Sequence, residues 1–292
     1  MKNNEIVGAK SNKVGLNICR VLSYIFLAFV TVLCLFAFYM LIINSTRSNA
    51  QLQSGFEMLP KEHFIDNLKT AWTDTSLVSI PQGLFNSFII AASSALLSTY
   101  FSAMTAYAIH VYDFKGKKFA FNFIMVVMMI PTQVSAVGFI QLVNQLGLTN
   151  TYWPLIIPAI ASPATFFYMK QYIESALPIE VVEAARVDGS NEFRTFNTIS
   201  LPMLRPAMAV QLIFAFVASW NNFFTPALIL SKKETQTVPI MLSLLRSEMN
   251  SRNGDLGEIY MIILLSIIPV VIVYILISKH IIQGVTMGSV KG

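Results

Sequence analysis

The chain has 292 residues, of which 55% are hydrophobic and only 12% carry a charge. Soluble domains carry about twice that charged fraction. A water-soluble enzyme of this size would therefore have too few charged residues to cover its surface. Disorder is also excluded, because 22 Phe and 10 Tyr residues supply too much apolar surface for an unfolded chain. The composition predicts an integral membrane protein, and the net charge of +5 is then assigned to membrane topology rather than to nucleic-acid binding.

Stretches without Asp, Glu, Lys or Arg locate the membrane-spanning helices. A helix needs about 20 apolar residues to cross a bilayer, and the uncharged stretch 119–169 is long enough for two. A polar break at 144–151 divides it. The first apolar stretch is too long for a signal peptide and is predicted to be retained. We therefore predict six helices, at 22–43, 85–109, 119–143, 152–172, 207–229 and 259–281.

Basic residues are unevenly distributed between the connecting segments. Segments 1–21, 110–118, 170–206 and 279–292 together hold 13 of the 20 Lys and Arg residues. Because such an excess marks the cytoplasmic side of a membrane, both termini are predicted to be cytoplasmic. The predicted organisation is a cytoplasmic segment 1–21, a first helix 22–43, a five-helix core 85–281 that contains a cytoplasmic loop 174–206, and a cytoplasmic tail 282–292.

Apart from Lys170 and Lys279, which lie near the ends of their spans, the predicted spans contain no Asp, Glu, Lys or Arg, and this argues against a carrier driven by protons or sodium ions. The sequence also has no phosphate-binding loop of the form G-x-x-x-x-G-K-[ST]. Its three histidines are scattered rather than spaced as metal ligands. We therefore predict no catalytic residue, no metal site and no cofactor bound by this chain.

The cytoplasmic loop 174–206 carries the local signals of two short helices joined by a sharp corner. Pro178 suits the first position of a helix, and Gly189 can adopt the left-handed conformation that ends one. Ser190 is predicted to cap the second helix, and Pro202 is predicted to stop it.

The same loop carries eight residues in one composite pattern: Glu183-Ala184-Ala185, then Asp188-Gly189, then Ile199-x-Leu201-Pro202. This pattern resembles the EAA loop of ABC importer permeases, in which the loop docks as a coupling helix onto a separate ATPase subunit. The resemblance implies that Glu183 makes polar contacts with the ATPase and that Gly189 makes the turn. It implies that Ala184 and Ala185 let the partner approach closely. The alternative is an ordinary amphipathic connector.

Four further stretches, 129–133, 146–152, 219–223 and 284–292, resemble carbohydrate permeases of the maltose-transporter type. The similarity extends from about residue 85 to the C-terminus. The resemblance implies an all-α polytopic protein with the type I permease fold, and the shorter, six-helix partner in a pair of permeases. Because the other permease holds the sugar in the maltose-type importer, a complete sugar site is not expected in this chain.

Four uncharged polar residues are candidates for the translocation path: Gln133, Ser135, Asn221 and Asn222. Amide groups can bind sugar hydroxyls through paired hydrogen bonds, and they can equally join neighbouring helices. Both interpretations remain open at this stage.

A stripe of small residues occurs in the second predicted span, where Ser94, Ser98, Ser102 and Ala106 recur at four-residue steps. Residues at this spacing share one helix face. Small side chains allow helices to approach closely, so packing is favoured over a pore lining.

Together these features predict the permease subunit of an ATP-driven carbohydrate importer that works by alternating access. The resemblance implies as partners two ABC ATPase subunits that bind ATP and Mg, a second homologous permease and an extracytoplasmic sugar-binding protein, in the plasma membrane of a prokaryote. The alternative is an ATP-independent channel or facilitator; a membrane scaffold or enzyme is disfavoured. A polyol or phosphorylated polyol remains open as the solute, and the sequence does not identify the sugar.

Overall fold

The computed structural model describes residues 2–74, 79–249 and 255–288, and every regular element in those ranges is a helix. Side chains are described for 19–74, 79–247 and 255–279. Residues 289–292 of the predicted cytoplasmic tail lie outside the described residues.

The α-helices of the described ranges are α1 (Lys2–Ser45), α2 (Asn49–Gln53), α3 (Phe64–Thr73), α4 (Ile80–Val111), α5 (Lys117–Met128), α6 (Thr132–Gln145), α7 (Trp153–Ile156), α8 (Pro163–Ala176), α9 (Ile179–Val187), α10 (Glu192–Arg194), α11 (Leu201–Trp220), α12 (Phe224–Ile229), α13 (Val238–Met249) and α14 (Leu256–Gly288). Turns of 3₁₀ helix lie at Ile157–Ile160 and Lys233–Thr235, and a π-helical turn lies at Thr195–Ser200.

Four helical segments among the described residues are long and apolar enough to cross a membrane: Cys19–Ser45, Ile80–Val111, Glu192–Trp220 and Leu256–Lys279. The pair α5 and α6 forms a fifth if it is one span, and the two helices are bent by 95° at their junction. The predicted span 119–143 is therefore not one straight helix. The predicted span 152–172 is also interrupted, because a 3₁₀ turn separates α7 from α8.

Prolines explain both interruptions. Proline has no backbone N–H and disfavours helical geometry in the residue before it. Pro131 lies between α5 and α6 with extended backbone (φ −62°, ψ 130°). Pro158 lies in the 3₁₀ turn after α7, and Ser162, which precedes Pro163, is extended. The region predicted as one fourth helix is consequently α7, a 3₁₀ turn and α8.

The prediction that Pro202 stops a helix is wrong, because the chain is helical from Glu192 to Trp220. The π-helical turn ahead of Pro202 explains the difference. There the Leu201 N–H donates to the carbonyl of Phe196, five residues back. This wider turn changes the hydrogen-bond register just before Pro202, so the missing N–H of the proline interrupts no regular ladder.

The predicted fifth span, 207–229, also differs from the structure. The helix that occupies this region, α11, starts earlier, at Leu201, and ends at Trp220. A turn follows, and α12 begins only at Phe224.

The chain divides into two compact units, one formed by 1–71 with 255–264 and the other by 72–254 with 265–292. Within the first unit, the Asn67 amide donates to the carbonyls of Ser45 and Arg47, at 2.9 Å each. Asn67 thereby joins α3 to the end of α1.

In the second unit, α4 packs against α8 and α11 around a core that includes Ala103, Met169, Ile173 and Leu204. The small face of α4 packs against its neighbours, as predicted, but Ser94 and Ser98 also line a cavity. The hydroxyls of this face reach the neighbouring segment: Ser94 donates to the Leu155 carbonyl, Ser98 to Thr165 Oγ1 and Ser102 to the Ser162 carbonyl, at 3.2–3.4 Å.

Candidate coupling surface and translocation cavity

The corner between α9 and α10 is built as the local signals indicate, with one correction. Gly189 has φ +78°, and its N–H donates to the Arg186 carbonyl at 3.0 Å. The next N–H, of Ser190, donates to the Ala185 carbonyl at 2.9 Å, which completes a Schellman motif. Asn191, rather than Ser190, caps the second helix, because Asn191 Oδ1 accepts from the Arg194 N–H at 2.9 Å.

The α9–α10 corner has an inner and an outer face, and the two alanines of the pattern lie on different ones. Ala185 is buried, as is Val182, which belongs to the core of the second unit. Ala184 and Glu183 are exposed. Ala184 is therefore available to a partner, whereas Ala185 packs within the protein.

Two apolar side chains stand on the outer face without cover from the described residues. Val187 is 88% exposed and Phe193 is 69% exposed. Exposed apolar side chains of this size offer contact area to a partner protein. Asp188 and Gly189 are exposed between them.

The remaining pattern residues lie deeper. Ile199, Leu201 and Pro202 are half-buried, and Leu201 packs against the core of the second unit. They join the corner to α11 rather than to its outer face.

Glu192 connects the corner to the end of α4. Its Oε1 accepts from Arg186 Nε at 2.7 Å, across the Gly189 turn. Its Oε2 accepts from the Tyr112 hydroxyl at 2.7 Å and from the buried Tyr107 hydroxyl at 3.3 Å. The Arg186 guanidinium also lies 5.6 Å from the centre of the Tyr112 ring. The Glu192 carboxylate therefore connects both α9 and α10 to the end of α4.

The charges around Glu192 reinforce this joint. The hydrogen bond to Glu192 raises the pKa of Arg186 above its ordinary value, so the guanidinium keeps its charge. Burial, and after it the hydrogen bond to Glu192, raises the pKa of Tyr112, so its hydroxyl remains a donor. Sequence reasoning missed this joint because Tyr107 and Tyr112 are 85 and 80 residues away from Glu192. The available signal was the opposite charge of Arg186 and Glu192 on either side of Gly189.

A cavity of about 830 Å³ opens between α4, α6, α8, α11 and α12. Its polar lining residues are Ser94, Ser98, Thr132, Ser135, Ser162, Thr165, Gln211, Ser219, Asn222 and Thr225. Among the described residues that line it, none carries a charge. The wall offers hydroxyl and amide groups set in apolar surface, which suits a neutral polar solute.

The structure brings together two of the four predicted path residues. Ser135 and Asn222 both line the cavity. Gln133 and Asn221 are exposed and are not among its described lining residues. Gln211 lines the cavity but was not among the candidates, since it lies within an otherwise apolar run of α11.

The family described as "Binding-protein-dependent transport system inner membrane component" matches residues 98–287, which include the corner and all the described cavity lining except Ile90 and Ser94 of α4. The chain belongs to this family. The permease is thus a multi-pass membrane transport subunit, and the predicted family resemblance is confirmed.

Two relatives match almost the whole permease. It is 35% identical over 272 residues to the arabinooligosaccharides transport system permease protein AraQ of Halalkalibacterium halodurans, covering 91% of this chain and 94% of that protein. It is 30% identical over 278 residues to the trehalose/maltose transport system permease protein MalG of Thermococcus litoralis, covering 94% and 97%.

A solved structure shares the fold of the permease. It is a bacterial ABC transporter involved in the import of the acidic polysaccharide alginate, with a TM-score of 0.74, 21% identity, and coverage of 89% of this chain and 96% of that chain. The predicted all-α type I permease fold is confirmed by this likeness.

Proposed function

We propose that this permease is the transmembrane subunit of an ATP-driven carbohydrate importer. The observation that carries the proposal is the two-faced corner at α9 and α10. Its outer face exposes Val187 and Phe193, and its inner face is joined to α4 through Glu192. The names of the relatives, for arabinooligosaccharides and for trehalose and maltose, support sugar as the cargo.

In the proposed assembly, two ABC ATPase subunits dock on the cytoplasmic side, and a second homologous permease completes the path through the bilayer. An extracytoplasmic sugar-binding protein delivers the solute. ATP and Mg belong to the ATPase subunits; this chain binds no cofactor and catalyses no bond chemistry. Both termini face the cytoplasm of a prokaryotic cell, as the Lys and Arg distribution favours.

The proposed coupling step is mechanical. When the ATPase subunits close, they move the outer face of the corner, where Glu183, Ala184 and Asp188 are exposed. Glu192 passes this movement to α4 through Tyr107 and Tyr112. Since α4 lines the cavity, the displacement favours alternating access of the cavity to the two sides.

The inner residues of the pattern are proposed to support this surface rather than to touch the ATPase. Ala185 is buried beneath the corner. Ile199, Leu201 and Pro202 occupy the helical connection to α11. A rigid connection of this kind transmits displacement better than a flexible loop would.

For the translocation path, the proposal retains Ser135 and Asn222, which line the cavity. Gln133 and Asn221 have less support, because both lie outside its described lining.

The test is recovery of the complete assembly from the native membrane. The tagged permease is purified in mild detergent, and the accompanying subunits are identified by mass spectrometry. We expect a second permease and an ATPase, and we expect Phe193→Ala to reduce the ATPase recovered because it removes exposed docking surface. Phe114→Ala is the matched control, since Phe114 is also exposed on the predicted cytoplasmic side. Recovery of the wild-type chain alone, under conditions that preserve known complexes, would favour a facilitator instead.

A further inference from the structure

One face of α11 runs along the cavity and begins with a glutamine. Gln211, Phe214, Ala215, Ala218 and Ser219 all line the cavity, at the three- and four-residue steps that place side chains on one helix face. From Gln211 to Ser219 this face extends over about 12 Å, at 1.5 Å per residue.

Gln211 is a largely buried residue whose side-chain amide has no hydrogen-bond partner in the described part of the chain. The residue is only 7% exposed. The cavity hydroxyls of α4 differ in this respect, because Ser94 and Ser98 donate to Leu155 and Thr165.

A buried amide normally has hydrogen-bond partners. The side-chain amide of glutamine offers two N–H donors and a carbonyl acceptor, and here they lie at the wall of an open cavity. A sugar hydroxyl, which both donates and accepts, matches that set. Phe214, one turn further along, is 63% exposed and presents a ring against which the apolar face of a sugar can pack.

We infer that Gln211 is a contact of this permease with the hydroxyl groups of an uncharged sugar that occupies the cavity. This inference rests on the proposed function and deepens it. The charge class follows from the lining: none of the described cavity residues is charged, so an anionic sugar would meet no counter-charge there.

The test is Gln211→Met in the complete transporter, reconstituted in vesicles with its partner permease, ATPases and binding protein. Methionine keeps the length of the side chain and removes its donors and acceptor. The matched control is Gln141→Met on α6, where the glutamine is exposed and outside the described cavity lining. Labelled trehalose, maltose and arabinotriose are the probes, and the sugar that the wild type carries fastest is used for comparison.

We expect Gln211→Met to lower sugar uptake about tenfold, the effect of losing one or two hydrogen bonds to the solute. Gln141→Met should stay within about twofold of wild type, as surface substitutions do. The melting temperature of the Gln211→Met complex should not fall, because the lost amide has no protein partner to leave behind.

Two results would contradict the inference, and a third would contradict the proposed function. If Gln211→Met takes up sugar at close to the wild-type rate, Gln211 is not a sugar contact, and the proposed function is unaffected. A fall in uptake with a fall in melting temperature would assign the amide to protein packing. Sugar uptake by the wild-type complex that needs no ATP would contradict the proposed function, whereas the comparison of Gln211→Met with wild type would still decide the sugar contact.

The charge class is tested on the same purified transporter without binding protein. Saturation-transfer NMR compares trehalose with digalacturonate, a disaccharide that carries two carboxylates. We expect transfer to trehalose that Gln211→Met weakens, and little transfer to digalacturonate. Equal transfer to both sugars would overturn the assignment to uncharged solutes.

Discussion

Arg186 and Glu192 lie on opposite sides of the Gly189 turn, and the guanidinium Nε donates to the carboxylate at 2.7 Å. The second carboxylate oxygen is held by the hydroxyls of Tyr112 and Tyr107. This arrangement bridges the corner and adds a polar connection to α4 beside the apolar packing of Val182 against that helix. Glu192 therefore supplies the charged part of the contact between the coupling surface and the cavity wall.

Glu192→Gln should weaken coupling more than stability. The amide keeps the shape but loses the ion pair, and a half-exposed pair contributes at most about 1 kcal/mol to the free energy of unfolding. We expect the number of sugars carried per ATP hydrolysed to fall about threefold or more, since about 0.7 kcal/mol corresponds to that ratio. The measurement is uptake and ATP hydrolysis in the same vesicles.

The matched control for Glu192 is Glu174→Gln, which removes an exposed carboxylate that pairs with Lys170 on α8. Its ratio of uptake to hydrolysis should equal that of wild type. An unchanged ratio in Glu192→Gln would show that the joint does not transmit the movement.

Gly189→Val should uncouple ATP hydrolysis from uptake through backbone strain. Gly189 has φ +78°, and nothing lies within 4 Å of the position of an added Cβ, so steric contact is not the cause. A non-glycine residue in the left-handed region costs about 1–2 kcal/mol, and a β-branched one costs more.

Gly189→Asn distinguishes backbone strain from the size of the added side chain as the cause of uncoupling. Asparagine is bulkier than glycine but enters the left-handed region readily, so this variant should retain most of the sugar carried per ATP hydrolysed. If Gly189→Asn and Gly189→Val lose coupling equally, size at the partner surface rather than backbone conformation is responsible.

Gly257→Ala should destabilise the first unit. A Cβ at this position would lie 2.7 Å from the Arg47 carbonyl oxygen and 2.8 Å from the Asn67 amide nitrogen. The Asn67 amide already donates to the Arg47 and Ser45 carbonyls. If the added Cβ displaces this amide, those hydrogen bonds break. Overpacking of this kind costs about 1–3 kcal/mol, and a thermal-unfolding scan of the purified complex measures it.

Gly138→Ala is the control for Gly257. No atom lies within 4 Å of its added Cβ, and alanine is the better helix former in α6 by up to about 1 kcal/mol. The melting temperature should stay the same or rise. A melting temperature of Gly257→Ala equal to that of wild type would mean that the backbone around Arg47 yields easily.

Asn150→Ala should loosen the connection that follows α12. Asn150 has φ +60°, and its Oδ1 accepts from the N–H groups of Ser231 and Lys232 at 2.7 and 2.8 Å. The variant loses both hydrogen bonds and the residue type that tolerates this backbone, at a combined cost of about 2–3 kcal/mol.

Asn150→Gly separates the cost of the positive φ from the cost of the lost hydrogen bonds. Because glycine adopts positive φ freely, the melting temperature of Asn150→Gly should lie between those of Asn150→Ala and wild type. Equal melting temperatures for the alanine and glycine variants would assign the whole effect to the hydrogen bonds.

The features that the sequence predicted correctly are local. The turn at Gly189 needs only a residue that adopts positive φ, and the small face of α4 needs only four-residue spacing. The resemblance of the 183–202 pattern to permeases lies within one short stretch, and the family match confirmed it.

The remaining features depend on tertiary structure. Pro202 continues a helix because a π-helical turn precedes it, and no propensity of the single residue predicts that register change. Glu192 finds its partners on α4, some 80 residues away in the chain. Gln211 lines the cavity and Gln133 does not, because the packing of the helices around the cavity decides which face of each helix is open. Composition and spacing indicated a helical membrane protein, and the resemblance of the 183–202 pattern indicated a permease. Long-range packing decided which polar groups meet, because hydrogen-bond partners far apart in sequence are selected only when the helices assemble.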